Sequence, residues 1–381
     1  QKNEIQPRLG FSYDVNADEA HVFFGGIGRA YDRNLYDYLQ VEQTKSSLPQ
    51  STVYFRQPGS TGPCYSDGTP CFDWDPAYLN GVSNLQALLA STNAGNEVDL
   101  INNNLKAPYS DQLSFGMRNK LGDWNSSAAI ARIVSRDGLV FTLGNRRPDG
   151  SFFKDNSQPW GNGVPGFGNF IIANNGIETR TTQVLLSLDK PYSKESGWGA
   201  TFAYTFTDAT QNRDINEHYA FDEETIHQYP FIRSNAAARH RLVATGVMDI
   251  PWGITLSAKL TLATPTPYND LACFGASYPT GSGCTPIGAT PPGNGKFLLG
   301  GKIFGYRDVD FQATKDFDLG HGLTLYGRFD LLNAFNFKNY TDYLANWGSN
   351  GVANPSPLVV NTTGNITFVP RTIKFTVGMK F

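Results

Sequence analysis

The last ten residues of the chain constrain its fold more than any other segment. From Thr372 to Phe381, Ile373, Phe375, Val377, Met379 and Phe381 fall on one face of an extended strand, and Thr372, Lys374, Thr376, Gly378 and Lys380 on the other. A face with two lysines is not a dry core. A face of five large apolar side chains is not a water-facing surface. Such a strand needs water on one side and an apolar medium on the other. The pattern recurs at Trp198, Ala200, Phe202, Tyr204 and Phe206 against Gly199, Thr201, Ala203, Thr205 and Thr207. It recurs again at Ile254, Leu256, Ala258, Leu260 and Leu262 against Thr255, Ser257, Lys259, Thr261 and Ala263.

Counted this way, eleven strands are expected, near residues 6–16, 19–32, 108–121, 125–137, 178–190, 196–210, 237–250, 253–266, 303–318, 322–336 and 368–381. The 125–137 strand is the least sharply patterned, because alanines blur its faces. The connections fall into two classes that alternate. Short ones surround Asn16, Gly122, Pro191 to Glu195, Pro251 to Gly253 and Leu319 to Gly322. Long ones cover 33–107, 138–177, 211–236, 267–302 and 337–367. Sorting of loops by side is the habit of outer-membrane barrels, with short periplasmic turns and long extracellular loops. In the longest loop a short helix is expected, capped by Ser83, with Leu85, Leu88 and Leu89 on one face. The fold class expected is all-β, an antiparallel transmembrane β-barrel.

Composition agrees. Charged residues make up 17% of the 381 residues, below the roughly 25% of soluble domains. No run of about 18 apolar residues exists that would form a transmembrane helix, and a barrel needs none. The net charge of −3 gives no reason to expect nucleic acid. No GxSxG, HExxH, P-loop or strand-turn-helix GxGxxG is present, so neither enzymatic activity nor a cofactor is expected. Eleven strands is an odd number, whereas single-chain bacterial barrels are even. With the last strand ending in the periplasm, the first also descends toward it, so an upstream strand is expected. No signal peptide is visible at Gln1, which suits a mature or truncated chain.

Pro7-Arg8-Leu9-Gly10-Phe11-Ser12-Tyr13 has the form PRLGFxY, and Phe24-Gly25-Gly26-Ile27-Gly28 through Tyr31-Asp32-Arg33 the form GGxGxxYDR in the strand after it. Asn104-Leu105-Lys106 with Pro108-Tyr109-Ser110-Asp111-Gln112 leads into the next strand. Arg307-Asp308-Val309-Asp310, Lys315-Asp316-Phe317, Asn333-Ala334-Phe335-Asn336 and Asn339-Tyr340 fall in a late strand pair, and Pro370-Arg371-Thr372-Ile373 opens the final strand. In this order, these segments together resemble the corresponding strands of TonB-dependent outer-membrane receptors of the Oar-like branch. The resemblance implies a plugged barrel of about twenty-two strands, of which residues 1–381 would be the C-terminal portion. The plug, the periplasmic extension and the TonB box would then lie outside this chain. Implied partners are outer-membrane lipid, the TonB complex through the missing N-terminal region, the assembly machinery, and surface lipoproteins or other subunits. The implied location is the outer membrane of a Gram-negative bacterium.

Candidate sites follow. Terminal Phe381 resembles the signal read by the assembly machinery. Trp198, Tyr192, Trp252, Phe317 and Phe381 suit an interfacial aromatic girdle. Tyr54, Arg56, Trp74, Arg146, Arg147 and Trp160, in the long loops, are candidate ligand-binding residues. Cys64 with Cys71 and Cys273 with Cys284 suit local loop disulfides in an oxidising compartment. Asp214, Glu217, His218, Asp222, Glu223, Glu224 and His227 match no metal motif by spacing, so a solvated acidic loop is expected there over a metal site. Arg8, Arg118, Arg241, Lys259, Arg328, Lys374 and Lys380 share the wet face with Asp14, Asp249, Asp308, Asp310, Asp316 and Asp330. They form either a wall for a plug or a set of mutually paired charges. Uptake of a scarce nutrient is the function expected. The alternatives are a surface protein for adhesion or assembly with partners, and a passive pore.

Overall fold

The computed structural model describes residues 4–33, 40–48, 53, 55–62, 71–92, 96–151, 167–213, 218–221, 223–272, 285–289, 304–345, 348–349, 352–353, 358–367 and 369–381. Eleven strands make one continuous antiparallel sheet. They are β1 (Arg8–Asp14), β2 (His21–Tyr31), β3 (Tyr109–Leu121), β4 (Trp124–Leu143), β5 (Phe167–Lys190), β6 (Trp198–Gln211), β7 (His240–Ile250), β8 (Ile254–Ala263), β9 (Tyr306–Gly320), β10 (Leu323–Leu332) and β11 (Thr372–Lys380). Each pairs with its sequence neighbour, so β1 and β11 stand at the two edges. The expected strand count and loop alternation are both met.

Register shows why one face is apolar. Tyr13, Phe23, Met117, Ala128, Leu186, Tyr204, Leu242 and Leu262 lie opposite one another in a single cross-strand row. Leu9, Phe11, Leu113, Phe115, Phe202, Phe311, Phe375 and Val377 share this outward face and are exposed. An exposed apolar band of this kind is what lipid covers. The place where it turns polar shifts from row to row along the sheet. Arg132 and Asp208 lie one row beyond His240, and Arg307 lies one row nearer the short turns. Tilted strands produce such a diagonal boundary. On β2, the glycine run answers crowding. A Cβ on Gly25 would stand 2.7 Å from the Ser114 carbonyl oxygen and 2.8 Å from the Phe11 ring.

Two expectations need correction. The strands expected at 125–137 and 178–190 run on to Leu143 and back to Phe167. Much of the supposed 138–177 loop is therefore a long hairpin standing above the band. Its alternation is lost because both of its faces are buried, so apolar residues run on without interruption. The register shifts between Ser135 and Gly138, at a bulge where Asp137 takes φ 59°. A bulge re-aims side chains, and here the hairpin leaves the barrel wall.

The second correction concerns the helix of the longest loop. It spans Val82–Thr92 (α2) and so contains Ser83 in its first turn rather than being capped by it. Leu88 turns inward while Leu85 and Leu89 remain exposed. A shorter helix, α1 (Val41–Ser47), precedes it.

The buried apolar core lies in this loop layer. Asn96–Ile101 pairs in parallel with β5, and Tyr219–Ala220 in parallel with β4. Together with the hairpin they form a four-stranded mixed sheet. Leu139, Phe141, Ile171 and Ala173 pack with Val41, Ile101, Leu105 and Phe221. Val140, Ile177, Ala220, Ile226 and Tyr229 pack with Ile232.

Candidate functional site

Two surfaces carry the chemistry: the outer loop layer and the polar inner wall. The layer is held by asparagines used in place of backbone. Asn145, fully buried, donates to the Gly168 carbonyl (3.1 Å) and accepts from the Phe170 N–H (2.6 Å). Asn175 donates to the carbonyls of Asp137 (2.7 Å) and Lys106 (3.0 Å) and accepts from the Lys106 N–H (2.7 Å). Asn212 bridges Glu178 and Gly176 in the same way. Where β9 and β10 meet the last loop, Asn333 donates to the carbonyls of Phe337 and Val369, and buried Asn339 exchanges two hydrogen bonds with the Arg307 backbone. A side-chain amide matches a peptide group in donors and acceptors, so it satisfies backbone where a ladder stops.

The loop candidates form two separate knots. Arg56 donates to Asp73 (2.8 Å) and to the Gly62 carbonyl. Beside it Trp74 makes edge contacts with Phe55 (5.1 Å) and Tyr78 (6.0 Å). Arg146 donates to the carbonyls of Gly150 (2.9 Å) and Phe221 (3.0 Å), tying the hairpin to the 218–221 segment. Arg147 holds a tight turn with Ser151, whose hydroxyl and N–H also meet Asp149. Those two donors hold the Asp149 carboxyl below its usual range. Arg146 is thus committed to scaffolding, whereas Trp74 is more than half exposed. Tyr54 and Trp160 lie outside the described residues.

Cys71 is not a free thiol. Its expected partner Cys64 lies outside the described residues, as do Cys273 and Cys284. Of the acidic loop, Asp214, Glu217 and Asp222 also lie outside them. Among the described residues no three His, Cys, Asp or Glu side chains are grouped to hold a metal.

Asp99 is the layer's strained charge. It sits on the same strand face as Ile101 and is 5% exposed, with its Oδ2 atom unpartnered. Burial, reinforced by nearby Glu97, pushes its carboxyl up to about 6, although Lys45 opposes the shift. Lys45 itself pairs with Glu97 at 2.5 Å.

On the inner wall, the expected charges do share one face, and many neutralise one another. Lys259 stands 3.8 Å from Asp310, Arg328 3.1 Å from Asp330, and Lys380 2.8 Å from Asp316. Gln312 donates to Asp330 (2.7 Å), and Thr201 to Asp189 (2.6 Å). Asp189, Thr201, Lys259, Asp310, Gln312 and Asp330 line a concavity of about 490 Å³. A larger recess of about 1250 Å³ opens toward the short turns, lined by Arg118, Lys120, Asp123, Tyr192 and Glu195 among others.

Tyr192 departs from the girdle expected of it. Its hydroxyl donates to Asp249 (2.5 Å) on the inner face, and it lines both concavities. Trp124 instead meets Trp198 on the outward face, in edge contact at 5.9 Å. Trp198, Trp252, Phe317 and Phe381 are exposed, and Phe381 continues the outward face of β11.

A family model described as outer membrane beta barrel domain matches residues 1–262. No curated protein matches the chain. Among solved structures, the outer membrane transporter YddB from Escherichia coli is 13% identical, with a TM-score of 0.55 over 98% of this chain and 40% of that one. The ferripyoverdine receptor of Pseudomonas aeruginosa is 11% identical, with a TM-score of 0.46 over 99% of this chain and 33% of its own. The FrpB iron transporter of Neisseria meningitidis is 10% identical, with a TM-score of 0.43 over 98% and 38%. The chain thus spans 40% or less of the length of these three structures.

Proposed function

Since the chain belongs to the outer membrane beta barrel domain family and sits in the outer membrane of a Gram-negative bacterium, we propose that it is the C-terminal part of a TonB-dependent receptor that takes up a scarce nutrient. The observation that carries this reading is the pair of unpaired edges. Strands β1 and β11 end an eleven-strand sheet and do not pair with each other among the described residues. An open edge in hydrocarbon leaves a row of N–H and C=O groups unsatisfied at several kcal/mol each. Further strands covering both edges would satisfy those groups, and a longer barrel supplies them. The likeness of fold to the Escherichia coli transporter, of which this chain spans 40%, is consistent with that reading.

In this reading a plug docks on the inner wall, where the concavity beside Asp189, Lys259 and Asp310 offers donors and acceptors to it. The outer layer holds the ligand, the disulfides Cys64–Cys71 and Cys273–Cys284 brace its loops, and Phe381 is read by the assembly machinery. Energy comes through TonB, so this chain performs no covalent chemistry of its own.

The test is the intact mass of the polypeptide extracted from outer membranes, followed by growth on candidate nutrients with and without a TonB box. A mass far above 41.8 kDa and TonB-box-dependent growth support the receptor. A mass near that value, or growth indifferent to the TonB box, points to a pore or a surface scaffold.

A further inference from the structure

The outward face changes chemistry at the long-loop end of β2 to β5. Along β4 the outward series is Ile130, Arg132, Val134, Arg136. Register places Ile27, Leu113, Arg132 and Thr182 in one row, and Arg29, Asp111, Val134 and Arg180 in the next. Arginines therefore alternate with apolar side chains where the lipid-covered band ends.

Most of these arginines have carboxylate partners. Asp111 accepts from Arg29 at 2.7 and 3.0 Å and from Arg136 at 3.0 Å, and Glu178 accepts from Arg180 at 2.8 Å. Arg132 differs. It donates to the Thr182 hydroxyl at 2.7 Å and forms no ion pair among the described residues, although Asp208 stands beyond Thr182 in the same row. A guanidinium stays charged at any physiological pH. At the edge of hydrocarbon it needs an anion, and carboxylate or phosphate meets its fork geometry best.

A groove of about 480 Å³ supplies the setting. Its polar side is lined by Arg8, Arg29, Gln112, Arg132 and the Asp111 carboxylate, which Arg29 and Arg136 neutralise, and its apolar side by Leu9, Ile27, Leu113 and Val134. It lies on the membrane-facing surface, at the end of the strands that carries the long loops. The neighbour at that place is the outer leaflet. We infer that this groove binds the phosphorylated headgroup of an outer-leaflet glycolipid, with the phosphate on Arg132 and acyl chain along Leu9, Ile27, Leu113 and Val134. The inference rests on the barrel alone and not on the receptor reading.

The experiment uses the full-length protein, delipidated in mild detergent and titrated with synthetic diphosphorylated lipid A under native mass spectrometry. The same lipid stripped of its phosphates and millimolar inorganic phosphate are the controls. The expected result is saturable binding of the phosphorylated lipid, about tenfold weaker in Arg132→Gln, the scale of one charge-assisted hydrogen-bond pair. Arg132→Lys should recover part of that loss. Equal binding of the dephosphorylated lipid overturns the proposal. So does unchanged affinity in a folded Arg132→Gln protein, and so does displacement by inorganic phosphate, which would mark a small-anion site. If Arg132→Gln fails to fold, the comparison of the two lipids on the wild-type protein decides alone.

Discussion

Replacing Phe141 by alanine should melt the outer layer and leave the membrane band standing. Phe141 is 2% exposed and packs with Leu139, Ile171 and Ala173 on one side of the long hairpin. Its ring stacks on Tyr219 at 5.6 Å, and its N–H donates to the His218 carbonyl at 2.6 Å. Truncating a buried Phe to Ala costs about 3–5 kcal/mol, and the lost aromatic pair accounts for roughly 0.5–1.5 kcal/mol within that range. At about 1.4 kcal/mol per tenfold, the opening equilibrium of the layer should rise by roughly two to three and a half decades, capped by the layer's own stability. Hydrogen exchange on the full-length protein in detergent reads this directly. Protection should fall at residues 139–143, 171–173 and 218–221. It should hold at 113–117, whose outward side chains pack against lipid or detergent. A uniform loss of protection across both regions would refute the idea that the layer is a separate cooperative unit. Unchanged protection at 139–143 would refute the assignment of its core.

Three further outcomes follow from the geometry. Because the Asp99 carboxyl is raised to about 6 when folded, against 3.8 in the free chain, the folded layer binds the extra proton. Its stability should be highest below about pH 4, fall as pH rises to about 6 and stay flat above that. Asp99→Asn should abolish this slope and stabilise the layer at neutral pH by roughly 1–3 kcal/mol, as read by the midpoint of local exchange against pH. Gly25→Val should impair assembly, because its Cβ would meet both the Ser114 carbonyl and the Phe11 ring at under 3 Å; the check is the fraction of heat-modifiable, folded barrel on a gel. Alkylation without reductant should leave Cys71 unlabelled, and labelling after reduction should expose two thiols on the peptide spanning 64–71.

The band was legible in the chain and the layer was not, and the difference is physical. In the band each strand meets lipid on one side and water on the other, so Phe375 and Lys374 must alternate. The hairpin of β4 and β5 above the band is covered on both faces by loops. Leu139 to Leu143 are then all buried, and a run without alternation reads as a loop of uncertain form. The asparagines are hidden from the sequence for a related reason: Asn145, Asn212, Asn333 and Asn339 are all nearly or fully buried and bonded to backbone. Composition does not separate an asparagine that turns the chain from one that replaces a peptide. Tyr192 was placed by its nearness to a short turn, and only the Asp249 contact reveals that it faces inward.

If the chain is part of a receptor as proposed, the layer's place above the band also bears on how such a receptor could change its ligand. A strand in the band is fixed by two media, so a substitution on either face is tested against lipid or water along its whole length. The layer answers to neither. Its sheet is anchored through the bulge at 135–138 and through asparagine bridges such as Asn175 to Asp137 and Lys106, all of them bonds to backbone. Contacts of that kind hold a loop in place whatever side chains it carries. The exposed aromatics Trp74 and Phe55 are fixed by a neighbouring ring and by Arg56 on Asp73, at positions where substitution leaves the hairpin core untouched. Exchange of side chains at the rim, on a scaffold bonded by its backbone, would let specificity drift while the barrel below remains the same.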